Sequence, residues 1–355
     1  MFIPLRDFGK YGVIHDTMDD ALPVGVWSDA RNVRFSGLEI EKMLEPEIER
    51  SLDSIPELPR WFEQWSSSSA TYVAVATDTS LYILESDESG SSTWRVAGTG
   101  YQAGKWQSFE WGDTVIFNNG RDIPQIYDYG TGTFVDLPYW GIISTGEEAA
   151  DPTLAPTRDT NLRAEVLVPY KSFLVALNVT ENGKKKPNTV WWSGASDLAT
   201  FSTEINGPPD WDYEDPGSLS GKSEVGLGEG GITAAVVLNE NLIIYTDTSA
   251  TAMTFTGGSL VMGFRRLFGK GAAGIHCVAE FDNAHFVVSR DQIYLHDGST
   301  VRQIAQDRVE DEFFKRVGAG GRFGDANALF NDFQVIQNPD RKEIYVIFDA
   351  NGELL

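Results

Sequence analysis

The fold is decided by a stretch that reads Ile232-Thr-Ala-Ala-Val-Val-Leu238, Asn239-Glu-Asn241, Leu242-Ile-Ile-Tyr245 and, after a short gap, Ala252-Met-Thr-Phe-Thr256. The apolar runs are short, rich in β-branched residues, and separated by a turn signal. This pattern is typical of antiparallel strands rather than helices. The sequence therefore predicts a three-stranded meander in this region.

The same meander pattern recurs along the chain. Units of short strands joined by turns begin near residues 71, 107, 165, 232, 275 and 333. Propellers repeat a four-stranded sheet, because one such sheet buries its faces only against neighbouring sheets. The sequence therefore predicts an all-β, β-propeller-like fold of about six meander blades, some of them irregular. A β-sandwich with extensions is the alternative, because short strands with frequent turns fit it too.

Several regions fall outside this pattern. Residues 1–60 contain no convincing hairpin and are predicted to be an extended N-terminal arm, with residues 61–355 forming the propeller-like domain. The lengths of the units vary, which predicts long insertions within that domain, especially at 141–163 and 204–231, both rich in Gly, Pro and acids. Residues 307–317 have an apolar face, early acids and late bases, which predicts a short helix. We expect it to cap the propeller side; a binding helix is the alternative.

The composition limits the classes of function. The chain has 355 residues, 28 Lys and Arg against 52 Asp and Glu, a formal net charge of −24, and one Cys. With 41% hydrophobic and 12% aromatic residues it can bury a large core, so wholesale disorder is excluded. No apolar run approaches the roughly 20 residues of a membrane helix, and Met1-Phe-Ile-Pro4 does not resemble a signal peptide. The acidity argues against non-specific binding to nucleic-acid phosphates.

No motif in the sequence compels an enzyme. The G-x-G-x-x-G match at Gly226–Gly231 lacks the preceding strand and following helix that dinucleotide binding needs, which indicates a loop. Cys277 and His276 are neighbours in a probable strand and point to opposite faces, so Cys277 is predicted to be a small buried residue. His285 and His296 are predicted to be a surface pair within one blade rather than a metal site. We therefore expect no catalytic residue, no cofactor and no metal.

The most distinctive stretch lies near the N-terminus and contains Phe8-Gly-Lys-Tyr-Gly-Val-Ile-His-Asp16 and Ala21-Leu-Pro-Val-Gly-Val-Trp-Ser-Asp-Ala-Arg-Asn-Val-Arg-Phe35. It resembles the start of the tail nozzle (hub) proteins of short-tailed bacteriophages, also called packaged-DNA stabilization proteins. The residues that match this family's opening motif position by position are Leu22, Pro23, Trp27, Ser28, Asp29, Asn32, Val33, Arg34 and Phe35. Two later stretches, Val190-Trp-Trp-Ser193 and Asp291 to Gly298, are also similar to the family.

The resemblance implies a structural virion protein that forms the distal nozzle of a podovirus tail and is assembled in the host bacterial cytoplasm. It implies a homo-hexamer below a ring of tail adaptor (head-to-tail connector) subunits, with fibre, plug or needle proteins as neighbours. The channel would retain genomic DNA and conduct it at ejection without sequence-specific binding. Six copies would carry six times −24, or 144 formal negative charges, which would keep DNA from adhering to the wall. A propeller glycan hydrolase or lectin acting on host surface polysaccharide is the alternative.

The motif also has a local physical interpretation. Pro23 and Gly25 favour a turn, Trp27 is expected to be a large buried anchor, and Asn32-Val-Arg-Phe35 is expected to begin a strand. Ser28-Asp29 is expected to cap backbone N–H groups in the turn. On this interpretation the motif fixes the arm to the propeller; direct contact with a partner is the alternative.

Overall fold

The computed structural model describes residues 10–18, 21–23, 25–36, 39–43, 52, 54–67, 70–86, 92–143, 157–158, 161–196, 211–215, 217–258, 260–317, 333–347, 349–350 and 353–354. The chain divides into two compact units. The larger unit is Ser51–Gly271, and the smaller unit combines Met1–Arg50 with Ala272–Leu355. Residues 1–50 of the predicted arm therefore belong to the same unit as the C-terminal part of the chain, whereas residues 51–60 belong to the larger unit.

A hairpin lies in the N-terminal arm. Strand β1 (Val33–Ser36) pairs antiparallel with β2 (Glu39–Lys42), with Phe35 opposite Ile40. The prediction that residues 1–60 contain no hairpin is wrong. The strands have four residues each, so the alternation of apolar and polar positions is too short to detect in the sequence.

Among its described residues, the larger unit contains four sheets of four antiparallel strands, and each sheet uses strands that are consecutive in the chain. A short two-stranded ladder lies between the second and third sheets. We call these sheets blades 1 to 4, because a four-stranded meander is the repeating unit of a propeller. The strands are β3 (Trp61–Ser66), β4 (Thr71–Ala76), β5 (Ser80–Ser86) and β6 (Ser92–Thr99) in blade 1; β7 (Gln107–Trp111), β8 (Thr114–Asn118), β9 (Gln125–Asp128) and β10 (Thr133–Asp136) in blade 2; β11 (Ile142–Ile143) and β12 (Thr157–Arg158) in the ladder; β13 (Arg163–Tyr170), β14 (Phe173–Glu181), β15 (Lys184–Trp192) and β16 (Gly221–Glu224) in blade 3; and β17 (Ile232–Leu238), β18 (Asn241–Thr246), β19 (Ala250–Phe255) and β20 (Met262–Phe268) in blade 4.

Successive blades of the larger unit meet through their first strands, β3 against β7, β7 against β13, and β13 against β17. Large apolar side chains fill the space between blades. Blades 1 and 2 share a buried cluster that includes Trp65, Leu81, Trp106, Phe117 and Tyr127. Blades 2 and 3 share a second buried cluster that includes Trp111, Ile126, Trp140, Leu174 and Trp191. The core of this unit is therefore distributed between neighbouring sheets.

The smaller unit contains a fifth meander, blade 5, whose strands are β21 (Val278–Phe281), β22 (Ala284–Val288), β23 (Ile293–His296) and β24 (Val301–Gln303). The elements that follow are helix α1 (Glu310–Val317), the hairpin of β25 (Gln334–Asn338) and β26 (Glu343–Ile347), and the short strands β27 (Asp349–Ala350) and β28 (Glu353–Leu354). Strand β25 lies beside β21. In the part of the chain that the structure describes, no helix has the length and apolar character needed to cross a membrane.

The predicted all-β, propeller-like fold is confirmed. Among the residues described, five of the six predicted units are four-stranded meander blades, and the sixth is the hairpin β25–β26. The β-sandwich alternative is wrong, because consecutive strands stay within one sheet instead of alternating between two facing sheets.

The two predicted insertions occupy different positions relative to the blades. The segment 141–163 lies between blades 2 and 3 and includes the ladder of β11 and β12. The segment 204–231 begins within blade 3, between β15 and β16, and ends in the loop before β17. Residues 144–156, 159–160, 204–210 and 216 of these segments lie outside the described residues.

Helix α1 confirms the predicted C-terminal helix, although it begins at Glu310. Asp307 has a positive φ of 58°, and the next two N–H groups both bond to the carbonyl of Ala305, so a turn replaces the first predicted residues. Phe314 is buried in the core of blade 5, and Phe313 packs against the same cluster. The helix therefore covers the blade core, as expected for a cap.

Cys277 is buried, as predicted, but it precedes β21 instead of lying in a strand. Its N–H donates to the carbonyl of Gly274 at 3.1 Å, and its carbonyl accepts the N–H of Val288 at 2.9 Å. The residue therefore belongs to a buried turn that is tied to β22. Apolar character alone does not distinguish a buried turn from a strand.

Candidate functional site

The N-terminal arm doubles back on itself, which brings the two halves of its motif together. Val13 forms a parallel bridge with Trp27, and the N–H of Ile14 donates to the carbonyl of Trp27 at 2.9 Å. The N–H of Val26 donates to the carbonyl of Pro23 at 3.3 Å, which closes a turn. Gly25 is the third residue of this turn and has a φ of 92°, a conformation that glycine adopts without steric cost. The predicted turn is confirmed.

Trp27 is not the buried anchor that the sequence suggested, since 37% of its surface is exposed. Its backbone makes the bridge to the first half of the arm, and this leaves much of the indole at the surface. Leu22 is half-buried, while Pro23 and Ser28 are exposed. These motif residues therefore act mainly through the backbone conformation that they support.

The carboxylate of Asp29 links the two halves of the arm. It lies 3.8 Å from Nε2 of His15 and 3.7 Å from Nε of Arg31. This arrangement differs from the expected role of Ser28-Asp29 as a cap of backbone N–H groups.

The end of the motif forms β1, which confirms the predicted strand. Asn32 precedes β1 with a φ of 53°, a conformation that Asn tolerates better than most residues, and its carbonyl accepts the N–H of Met43 at 2.9 Å. Val33 and Phe35 are half-buried in the strand. The hairpin of the arm is therefore closed at its base by Asn32.

Arg34 joins this hairpin to the hairpin β25–β26. Its guanidinium pairs with Glu41, directly opposite on β2, and lies 3.2 Å from Oε1 of Glu343 on β26. The hydrogen bond with Glu41 raises the pKa of Arg34, with a smaller contribution from Glu343. The hydroxyl of Tyr345 donates to Oε2 of Glu343 at 2.8 Å, so the same carboxylate is also held from its own strand.

Asp16 supplies the N-terminal cap of α1 from almost the other end of the chain. Its Oδ2 accepts the N–H of Asp311 at 3.1 Å, and its Oδ1 accepts the N–H of Glu312 at 3.2 Å. These N–H groups belong to the first helical turn and have no partner within the helix. The local cap position is Val309, whose side chain has no acceptor. A distant carboxylate therefore replaces the missing local cap.

Replacing Asp16 tests this cap. We expect Asp16→Ala to destabilise α1 by about 1 kcal/mol, which corresponds to about fivefold faster hydrogen exchange over the first turn of the helix. Asp16→Asn keeps one acceptor oxygen and should have a smaller effect. Hydrogen exchange measured by mass spectrometry on a peptide that covers α1 gives the result. Asp29→Ala is the control in the same arm, and equal acceleration in both alanine variants would contradict the cap.

His285 and His296 form a buried pair, so the prediction of a surface pair is wrong. The two residues are directly opposite on β22 and β23, their ring centroids are 5.3 Å apart, and their exposed fractions are 0% and 2%. Nδ1 of His296 accepts the N–H of Gly298 at 3.1 Å. Burial, and secondarily His285, lowers the pKa of His296 to about 4, while Asp297 opposes the shift. His296 is therefore neutral at physiological pH.

The buried histidine predicts a loss of stability in acid. An unfolded histidine titrates near pH 6.5, so between about 6.5 and about 4 the unfolded chain binds a proton that the folded chain excludes. The stabilisation is complete above this window and is lost as the pH falls through it. We expect His296→Asn, which keeps an acceptor for Gly298, to give a flatter curve of Tm against pH from 6.5 to 4 in differential scanning fluorimetry. His15→Asn in the arm is the control, and identical slopes in both variants would contradict the prediction.

A polar cleft of about 310 Å³ lies beside α1 and is lined by Asp291, Gln292, Gln303, Gln306, Asp307, Glu310 and Asp311. Glu310 is buried and accepts the N–H of Ile293 at 3.1 Å and two bonds from the Gln303 amide. This carboxylate therefore anchors the helix to blade 5. Within the described residues, no three His, Cys, Asp or Glu are placed to hold a metal ion.

The glycine-rich segment Gly226–Gly231 is a loop, as predicted. It is followed directly by β17, where a dinucleotide fingerprint requires a helix. The N–H of Glu229 donates to the carbonyl of Gly226 at 2.9 Å, and Gly226, Gly228 and Gly230 all have positive φ angles. The glycines therefore serve a tight loop.

One acidic site was missed from the sequence. Glu63 is on β3, on the same face as Trp61, and its Oε2 accepts the hydroxyl of Ser108 from β7 of the next blade. Nε1 of Trp61 donates to the same Ser108 oxygen at 2.6 Å. Burial raises the pKa of Glu63, the negative charge of Glu110 adds to the rise, and the bonds from Ser108 and Gln64 oppose it. The sequence indicates that Trp61 and Glu63 lie on one face of a strand, because they are two residues apart. It does not indicate that Ser108 of the next blade lies opposite them.

Comparison with known proteins gives structural likeness alone. No protein-family model and no curated protein matches the chain. Among solved structures it is similar to the Pan2 WD40 domain of Neurospora crassa (12% identity, TM-score 0.37, 69% of this chain and 64% of that chain). It is also similar to Hsv2p of Kluyveromyces lactis (10% identity, TM-score 0.36, 69% of this chain and 63% of that chain). A third similar structure is the extracellular domain of the putative BT4673 one component system of B. thetaiotaomicron (8% identity, TM-score 0.37, 83% of this chain and 38% of that chain). The chain spans less than two thirds of each of these proteins, and at these TM-scores the likeness carries no argument about activity or partners.

Proposed function

We propose that this chain is the distal tail nozzle (hub) protein of a short-tailed bacteriophage and has a structural, non-enzymatic role in the virion. Six copies form a ring below the adaptor subunits, near fibre, plug or needle proteins. The ring retains packaged genomic DNA and conducts it at ejection without reading its sequence. The subunits assemble in the host bacterial cytoplasm.

The observation that carries this proposal is the built structure of the arm. Residues of the segment that resembles the nozzle family form a bridge, a turn and a hairpin. One carboxylate and one guanidinium group of this segment contact the C-terminal part of the chain. Asp16 bonds to the first turn of α1, and Arg34 pairs with Glu343. This motif joins parts of the fold that are distant in sequence. Such contacts fit a structural protein, because the subunits of a permanent ring must keep their fold.

The charge of the chain supports the same proposal. A channel for DNA works best when its wall does not bind phosphates, because attachment of cations to the backbone slows sliding. A subunit with a net charge of −24 meets this requirement wherever its acids face the channel.

The oligomeric state tests the proposal. We expect the purified protein, alone or with its adaptor, to form particles of about 235 kDa, six times the 39.2 kDa of one chain, in mass photometry. We also expect the protein to be present in purified tails. A protein that stays monomeric in the presence of assembled adaptor rings would contradict the nozzle proposal.

A glycan hydrolase is the second candidate, and one specific observation favours it. Glu63 is a half-buried carboxylate with a raised pKa beside a second carboxylate, Glu110, at the junction of two neighbouring blades. A carboxyl group that stays protonated longer than usual is suited to general acid catalysis of glycosidic cleavage.

The Glu63→Gln variant separates the two candidates. If the chain is a hydrolase, the variant should lose about 100-fold or more of the depolymerisation rate, because the amide cannot donate the proton. Glu240→Gln, at an exposed site, is the control. On the nozzle proposal the unmodified protein releases no reducing ends from host polysaccharide, and measurable release by the unmodified protein would overturn that proposal.

A further inference from the structure

A basic hairpin lies in this acidic chain. Lys184-Lys-Lys186 is the only run of three consecutive cations in the sequence. It follows the turn between β14 and β15, in which Asn182 and Gly183 have φ angles of 49° and 71°. Two consecutive positive φ angles at Asn-Gly are the signature of a type I′ turn, which holds a hairpin in one register. The lysines therefore have defined positions at the start of β15.

Further cations lie next to this hairpin. We call basic patch the set Arg121, Arg163, Lys184, Lys185, Lys186 and Lys222, which come from the turn between β8 and β9 and from three strands of blade 3. One oxygen of Glu165 serves both Lys185, at 3.1 Å, and Arg121, at 3.8 Å. One oxygen of Glu181 serves both Lys186 and Lys222. Each of these two carboxylates is thus shared by two cations.

The inner part of the basic patch holds the hairpin in place. Nζ of Lys222 lies 2.6 Å from Glu181 and stands over the rings of Trp191 and Tyr213, at 4.5 and 4.7 Å from their centroids. Burial would raise the pKa of Glu181, but the hydrogen bonds from Lys186 and Lys222 outweigh it and the pKa is lowered. Glu181 is therefore ionised, and its two lysines are committed to it.

The outer part of the basic patch faces solvent. Lys184 and Lys185 are exposed, and the side chain of Arg121 is 55% exposed. Asp122 is an adjacent acid, and its Oδ2 is engaged by the N–H of Gln102 and the amide of Asn119, each at 2.8 Å. Asp212 and Glu214 flank Tyr213, beneath Lys222, and act on it electrostatically. With these two acids and Asp122 included, the six cations face five carboxylates among the described residues, a net charge of +1, which leaves −25 on the rest of the chain.

We infer that the basic patch is one side of the contact between neighbouring copies of this chain and docks on an acidic surface of the next copy. The inference rests on the proposed ring and supplies its interface. A closed ring of identical subunits uses two different surfaces, one on each side of every subunit. Opposite charges on those surfaces set the orientation and offset the repulsion between copies that each carry −24.

A nucleic acid is the competing partner for a basic surface. The whole chain repels it, since the charge outside the basic patch is far larger than the patch charge and has the sign of the phosphates. Two of the six cations are also committed to Glu181 within the fold. A second copy of the chain is the acidic partner that these charges favour.

Charge reversal tests this contact. Lys184→Glu together with Lys185→Glu should weaken self-association by about tenfold or more and make it less sensitive to salt between about 0.05 and about 0.5 M NaCl. Sedimentation velocity on the full chain measures both effects. The control carries the same change of charge at two exposed cations, Arg302→Glu with Lys342→Glu, and should assemble as the unmodified protein does. Circular dichroism and Tm verify that both variants fold.

The outcomes are distinguishable. A ring that survives the Lys184 and Lys185 reversals unchanged overturns this inference and leaves the nozzle proposal in place. An unmodified protein that associates through the basic patch into assemblies other than six copies keeps the inference and contradicts the nozzle proposal. Binding of duplex DNA at about 0.15 M salt, lost on reversal while the ring is unaffected, overturns the inference in favour of a nucleic-acid contact.

Discussion

The packing of one four-stranded sheet against the next is the constraint on which the rest of this structure depends. A single meander has two faces and cannot bury both, so each blade of the larger unit takes its core from its neighbours. Tryptophan side chains fill the space between blades, and their indole N–H groups also donate hydrogen bonds to backbone carbonyls. Nε1 of Trp106 donates to the carbonyl of Thr77 at 2.7 Å, and Nε1 of Trp140 to that of Leu162 at 3.0 Å. The 12% aromatic content is thus a requirement of the architecture.

The same constraint explains the smaller unit. Blade 5 is covered by α1 and by the hairpin β25–β26, whose apolar side chains complete its core. The helix begins at a position with no capping side chain, so it depends on Asp16 of the arm. Arg34 then ties the arm to β26. The motif near the N-terminus is therefore part of the C-terminal fold, and a structural role for it follows from these contacts.

The distribution of charge gives the proposed function its physical content. Acids dominate the chain as a whole, whereas the cations of the basic patch come together on blade 3 and the neighbouring turn of blade 2. A uniform surface of one sign opposes any assembly of identical copies, while a localised surface of the opposite sign directs it. In the proposed ring, the same subunit repels DNA along the channel and attracts the next subunit at its side.

The sequence by itself determined the all-β class, the positions of the meander units and the helix near the C-terminus, because alternation, turn residues and apolar spacing are local properties of the chain. It also determined the turn at Pro23 and the strand at Asn32 to Phe35. The exposure of Trp27, the burial of His285 with His296, and the placement of Glu63 beside Ser108 were decided only by the tertiary structure. Each depends on which strand or blade lies opposite, and that pairing joins residues whose separation along the chain carries no local signal. The cap of α1 by Asp16 is the extreme case, since the two partners are almost 300 residues apart.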